Sequence, residues 1–213
     1  MSDGEVILID YGAGNLLSVG RSLEHCGAKV VITADPKKIL SGSRVVLPGV
    51  GAFANAMVIL NELQLAGVIC EVARRGTPLL GICLGMQLLF DESEEFGRTN
   101  GLGLIQGKVV SIPGETVDGN LLKIPHIGWN SLYPSDHVNW GNSLLADISP
   151  GEAVYFVHSF MAHPSSKDRV ADCIYGGYKV SAVIAKKNVV GCQFHPEKSG
   201  SVGLRVLKKF LLL

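Results

Sequence analysis

Cys83 stands in Gly81-Ile82-Cys83-Leu84-Gly85, behind the apolar run Pro78-Leu79-Leu80 and ahead of Met86-Gln87-Leu88-Leu89-Phe90. A buried strand that passes through Gly-x-Cys-x-Gly into an amphipathic helix is the cysteine form of a nucleophile elbow. Such a turn crowds the backbone around the nucleophile, so its flanks must lack bulk, and Gly81 and Gly85 meet that need. At a helix N-terminus the macrodipole and free N–H groups favour the thiolate, which is the attacking species. A cysteine that merely fills a core requires none of these features. Cys26, Cys70, Cys173 and Cys192 lack the glycine flanks and are read as small buried residues.

A thiolate nucleophile needs a base, and the base needs an orienting carboxylate. Both follow the apolar run Val189-Val190-Gly191-Cys192-Gln193-Phe194, in His195-Pro196-Glu197. The proline fixes an extended bend, so His195 and Glu197 project from one side of a strand end towards the elbow. Cys192-x-x-His195 also has a metal-ligand spacing, but no second pair completes a set, and no metal is expected. Gly12-Ala13-Gly14 is not read as a dinucleotide loop, because Leu17 replaces the third glycine and no acid ends the next strand.

The elements around these residues alternate, in the first half, between short β-rich runs and helical spacing, the pattern of a parallel sheet with right-handed crossovers. Strands are expected at residues 6–10, 28–33, 44–47 and 79–82. Helices are expected at 16–26, from an Asp35 cap and Pro36 to Leu40, and in one stretch over 53–74. From Gly101 the texture changes to strand pairs: 103–112, 152–160, and a hairpin over 178–194 turning at Lys186-Lys187-Asn188. The end of the chain reads as a helix with Val202, Val206, Phe210 and Leu213 on one face. No repeat or linker marks a boundary, so residues 1–213 are expected to form a single domain.

Composition narrows the function classes. The 213 residues carry 19 basic and 19 acidic side chains, a formal net charge of +0, and 47% hydrophobic residues. The basic pairs are scattered rather than aligned in a phosphate-tracking stripe, so nucleic acid is not an expected partner. No apolar run approaches bilayer length, and the N-terminus shows no basic region or cleavage site, so neither a membrane nor a secretory leader is expected. Five cysteines, without a Cys-x-x-Cys pair, suit a reducing compartment, and a cytoplasmic location is expected.

Gly81-Ile82-Cys83-Leu84-Gly85-Met86-Gln87 together with His195-Pro196-Glu197 resembles the signature of the class I (triad) glutamine amidotransferases, in matching order across nearly the whole chain. Further stretches carry a likeness to one branch of that family. They are Asp10-Tyr11-Gly12-Ala13-Gly14-Asn15, Leu47-Pro48-Gly49-Val50-Gly51-Ala52-Phe53, Pro125-His126-Ile127-Gly128-Trp129-Asn130, Tyr155-Phe156-Val157-His158-Ser159 and Lys198-Ser199. That branch supplies ammonia to a (β/α)8-barrel cyclase in histidine biosynthesis.

The resemblance implies a flavodoxin-like α/β fold, with a mostly parallel central sheet flanked by helices and an antiparallel or mixed region in the second half. It implies glutamine as substrate, the barrel cyclase as partner in a heterodimer, and no cofactor. Cys83 would attack the carboxamide, His195 would move the proton, and Glu197 would hold the imidazole. Gly49, Val50, Gly51 and Leu84 lie where the oxyanion backbone groups are expected. Gln87, Glu95, His158, Ser159 and Phe160 fall where the family grips glutamine, and Asn15, Trp129 and Lys198 fall near the partner interface. Relatives usually carry tyrosine at position 160. Glu95, in Asp91-Glu92-Ser93-Glu94-Glu95, also reads as a solvated helix end, and Trp129 also reads as a core residue. Two other functions fit the same residues: a glutaminase serving anthranilate, guanylate, pyridoxal phosphate or aminodeoxychorismate synthesis, and a non-catalytic binding protein with a relic cysteine.

Overall fold

The computed structural model describes residues 5–12, 14–136 and 138–213. The expectation of no secretory leader rests in part on residues 1–4, which with Ala13 and His137 lie outside the described residues.

The first half follows the expected alternation: β1 (Glu5–Ile9), α1 (Leu16–His25), β2 (Lys29–Thr33), α2 (Pro36–Ser41) and β3 (Arg44–Leu47). The start of α2 is chemical: Asp35 accepts a hydrogen bond from the Lys37 backbone N–H at 2.9 Å, and Pro36 occupies the first helical position. Along β1, Val6 and Leu8 enter one core layer while Ile7 and Ile9 enter the other. Both faces of the strand are therefore covered, which is why the run is continuously apolar rather than alternating.

Residues 53–74 form two helices rather than the one expected. α3 (Phe53–Glu62) and α4 (Leu65–Arg74) meet at 90°, with Gln64 in the left-handed region at φ 57° between them. A straight helix of that length would run roughly 33 Å. The bend lets Phe53, Ala56 and Leu60 of α3 share a core cluster with Leu65, Ile69 and Val72 of α4. Among the described residues, no single helix is long and apolar enough to cross a membrane.

The chain continues through β4 (Leu79–Ile82), α5 (Leu84–Leu88), β5 (Phe90–Ser93), β6 (Thr99–Asn100), β7 (Ile105–Ser111), β8 (His126–Ser131) and β9 (Tyr133–Pro134). It ends with β10 (Ala153–His158), β11 (Phe160–Pro164), β12 (Arg169–Tyr175), β13 (Tyr178–Lys186), β14 (Val189–Cys192) and α6 (Gly200–Phe210). The expected strand 152–160 is thus interrupted at Ser159, where the chain leaves one sheet for another. The acidic run after α5 enters strand β5 instead of ending a helix. On α6 the buried face is Gly203, Val206, Leu207 and Phe210, whereas Val202 is only partly buried and Leu213 lies beyond the helix and is exposed.

The central sheet has eight strands in the order β2-β1-β3-β4-β14-β13-β12-β9. Its pairs are parallel from β2 to β14 and antiparallel from β14 to β9. The hairpin turns at Lys187, in the left-handed region at φ 56°, and its second strand β14 returns to lie parallel to β4. A four-stranded mixed sheet, β11-β7-β5-β6, and the antiparallel ribbon β10-β8 complete the α/β fold.

Candidate active site

The parallel half aligns the carboxyl ends of β1, β3, β4 and β14 along one edge, the place where open α/β sheets bind ligands. Tyr11 follows β1, Pro48 and Gly49 follow β3, Cys83 follows β4, and Gln193 to His195 follow β14. In the β14–β4 register Cys192 faces Ile82, and the Cys83 N–H donates to the Cys192 carbonyl at 2.8 Å. The two chain segments therefore leave the sheet side by side, although more than a hundred residues separate them.

Cys83 has φ 54° and ψ −111°, a conformation that costs a non-glycine residue about 1–3 kcal/mol. Close packing on both sides holds it there. A Cβ at Gly85 would lie 1.9 Å from the Leu47 carbonyl oxygen, and one at Gly81 would lie 2.7 Å from the Gly85 oxygen and the Met86 nitrogen. The glycines at the elbow therefore meet a steric demand, as expected. The helix that follows is shorter than expected: α5 has five residues, all of them buried. So short a helix adds little dipole at the sulfur. The thiol donates to the Val157 carbonyl at 3.9 Å, and the Gln193 side-chain amide donates to the sulfur at 3.7 Å.

His195 precedes a single 3-10 turn, Pro196–Lys198. Its Nδ1 lies 2.8 Å from Glu197 Oε1, with the two side chains 3% and 0% exposed. A carboxylate only accepts, so Nδ1 carries a proton and Nε2 is the nitrogen left to exchange one with Cys83. Nε2 is buried without a hydrogen-bond partner. Burial lowers the imidazole's affinity for a proton, but Cys83 and the Glu197 carboxylate outweigh it and raise the His195 pKa to about 9. Two bonds fix the turn: the Ser199 hydroxyl donates to the His195 carbonyl at 2.7 Å, and the His195 N–H donates to the Tyr155 carbonyl at 2.9 Å.

Cys83 and His195 line one cleft of about 290 Å³ together with Val50, Gly51, Leu84, Gln87, Glu95, Val157, His158, Ser159 and Phe160. Such a volume lies at the small end of ligand pockets and suits a molecule the size of an amino acid. Gly49 packs behind the cleft wall, where a Cβ would come within 2.8 Å of the Gly85 nitrogen and the Tyr11 hydroxyl. Glu95 is not a solvated helix end: it is buried, and its Oε2 accepts from the Phe53 N–H at 2.6 Å, tying the start of α3 to the cleft. Phe160 contributes its backbone, since its carbonyl accepts from Gln87 Nε2 at 3.0 Å and from His158 Nδ1 at 2.8 Å.

Three residues near the cleft, to which the sequence alone assigns no role, join the site. Gln193 is fully buried beside Cys83; a polar residue inside an otherwise apolar strand run was its signal. Tyr11 donates to the Pro48 carbonyl at 3.0 Å, and burial, followed by the neighbouring Cys83, pushes its phenol pKa well up. His126 stacks between Phe156 and Tyr175 at ring-centre distances of 4.9 and 4.0 Å. Because His158 Nδ1 donates to a carbonyl, its Nε2 must accept from His126 Nδ1, 2.9 Å away. His126 Nε2 then accepts from the Asn130 amide at 3.3 Å.

Of the residues expected near a partner, Trp129 is 59% exposed and is therefore not a core residue. Its ring meets Tyr155 edge-on at 6.2 Å, and Lys198 Nζ sits 6.0 Å from the same Tyr155 ring. Asn15 is partly buried at the start of α1, where its side chain makes no capping bond. Among the described residues, no group of three or more His, Cys, Asp or Glu is arranged to hold a metal ion.

The model of the family "Glutamine amidotransferase class-I" matches residues 7–213. Imidazole glycerol phosphate synthase subunit HisH 1 of Legionella pneumophila (strain Lens) is 52% identical over 208 residues, covering 97% of this chain and 98% of its own. Subunit HisH of Methanosarcina acetivorans is 46% identical over 207 residues, covering 97% of each chain. Among solved structures, a crystal structure of a glutamine amidotransferase aligns with a TM-score of 0.71 at 14% identity, covering 97% of this chain and 99% of that one. That last likeness concerns the fold.

Proposed function

The chain belongs to the class I glutamine amidotransferase family, and from that premise we propose that it is the glutaminase subunit of an imidazole glycerol phosphate synthase. It hydrolyses glutamine to glutamate and ammonia, and it passes the ammonia to a (β/α)8-barrel cyclase subunit. The cyclase uses it to form imidazole glycerol phosphate and aminoimidazole carboxamide ribotide. The observation that carries this reading is that Cys83 and a carboxylate-held His195 line one amino-acid-sized cleft, in a chain about half identical to named synthase subunits.

Cys83 Sγ attacks the side-chain amide carbon of glutamine as a thiolate whose proton has passed to His195 Nε2, an ion pair that the raised His195 pKa favours. Backbone N–H groups of the Gly49, Val50 and Gly51 segment and of Leu84 are the donors assigned to the oxygen on which charge develops, a contribution of about 3–4 kcal/mol per donor in comparable sites. Collapse of this adduct breaks the C–N bond, and His195 returns its proton to the departing nitrogen, releasing ammonia. The γ-glutamyl thioester that remains is hydrolysed by a water whose proton His195 accepts, which gives glutamate and regenerates the thiol. Glu197 keeps the imidazole oriented and compensates its charge in each half-reaction. Glu95 supplies a negative charge for the substrate's α-ammonium group, and Gln87 and the 158–160 segment hold the rest of its backbone.

Ammonia released to water near neutral pH becomes mostly ammonium, which is not nucleophilic, so a synthase gains by receiving it through a sealed contact. Exposed Trp129 and Lys198, together with Asn15, are the residues assigned to that contact. Glutamate release measured with and without the barrel cyclase and its ribotide ligand tests the assignment: strong stimulation is expected. Equal rates would remove the cyclase from the account.

A further inference from the structure

We propose that Gln193 is the hydrogen-bond donor to the nucleophilic sulfur, with its orientation dictated by the Phe160 carbonyl through Gln87. This rests on Cys83 being the nucleophile. A carbonyl can only accept, so the end of the Gln87 amide 3.0 Å from the Phe160 oxygen is the nitrogen. That nitrogen also lies 2.9 Å from the Gln193 amide, whose nearer atom must therefore be Oε1. The remaining end of Gln193, its NH2 group, is directed at Cys83 Sγ at 3.7 Å. Turning over Gln87 would set oxygen against oxygen at Phe160, and turning over Gln193 would set nitrogen against nitrogen at Gln87. The sulfur consequently faces a donor in every satisfied arrangement of this chain.

Burial makes the arrangement consequential. Gln193 is 0% exposed and Gln87 5%, so water does not readily substitute for either amide. When the thiol ionises, its bond to the Val157 carbonyl is lost, because that bond used the departing proton. The bond from Gln193 is retained and strengthened, since a donor facing an anion is charge-assisted. Gln193 thus favours the thiolate over the thiol. Its backbone stays anchored, because the Gln193 N–H donates to the Ala182 carbonyl at 2.9 Å.

The test is the pH dependence of Cys83 alkylation by iodoacetamide in the full chain and in Gln193→Met and Gln193→Glu. Adducts are located by mass spectrometry, because Cys26 and Cys70 are partly exposed. Gln193→Met, which removes the donor without adding charge, should move the inflection to higher pH by about one unit, a roughly tenfold slower reaction near neutrality, and Gln193→Glu should move it further because its carboxylate also repels the thiolate. At alkaline pH the variant rates should meet or exceed the parent rate, because a more basic thiolate is the stronger nucleophile. Damage to packing alone would slow alkylation at every pH. An unmoved inflection in both variants, or the failure of both to fold, overturns the proposal. Parent protein that alkylates normally at Cys83 but never reacts with an electrophilic glutamine analogue would instead sink the reading of Cys83 as the glutaminase nucleophile.

Discussion

His158 and His126 share a hydrogen bond that requires a neutral His158, because a proton on His158 Nε2 would face the N–H of His126 at 2.9 Å, while a proton on His126 Nε2 would face the Asn130 amide instead. Burial, followed by the charges of His126 and His195, holds the His158 pKa down at about 4, even though its bond to the Phe160 carbonyl acts in the opposite direction. Burial likewise lowers His126 to about 4. The unfolded chain, titrating near 6.5, binds more protons than the folded one between those values, so stability should fall as the pH drops from 6.5 towards 4. His158 alone accounts for on the order of 3 kcal/mol of that change. His195 has the opposite sign: its pKa, raised from 6.5 to about 9, gives stability that is full below 6.5 and is lost as the pH rises through 9. Urea unfolding followed from pH 4.5 to 9.5 should therefore show a maximum near neutrality, and a flat acid limb would contradict the neutral pair of rings.

At the scale of elements, the elbow depends on β3, β4 and α5 approaching too closely for any side chain at Gly85. Gly85→Ala, with a Cβ 1.9 Å from the Leu47 oxygen, should cost about 1–3 kcal/mol or more and displace the sulfur, lowering both the melting temperature and glutamine turnover. Gly67 in the first turn of α4 is the control: a Cβ there meets nothing within 4 Å, so Gly67→Ala should stabilise by up to about 0.5–1 kcal/mol with turnover unchanged. Equal losses in the two variants would mean that the close approach at Gly85 is not what holds the turn.

The same contrast separates what the sequence makes legible from what it hides. β3 and β4 read correctly because strands covered on both faces leave an uninterrupted apolar run, and the tight turn at Cys83 is legible because the glycines it demands lie next to it in sequence. The break at Gln64 was hidden, since it arises from the fit of two apolar helices onto one core and not from a breaker residue. Glu95 is singled out in the sequence by the family resemblance alone, since its neighbours look solvated, and its role as acceptor for Phe53 is not legible because it depends on a residue 42 positions away. Gln193 and His126 act through partners remote in sequence, so only the assembled strands reveal them.

Across the whole molecule, chemistry depends on the antiparallel half returning one strand to the parallel half. β14 lies beside β4, which brings His195 to Cys83; the ribbon β10-β8 covers the cleft with His158 and turns Tyr155 and Trp129 outward. One ribbon thus borders both the site that forms ammonia and the surface assigned to the partner that consumes it, which fits a subunit whose turnover depends on its complex. The most direct measurement is mass-spectrometric mapping of the adduct formed with diazo-oxo-norleucine, an electrophilic glutamine analogue, with and without the cyclase. The account predicts one adduct, on Cys83, formed faster in the complex and absent in Cys83→Ala. Labelling at another residue, or none under conditions where glutamine is turned over, would contradict it.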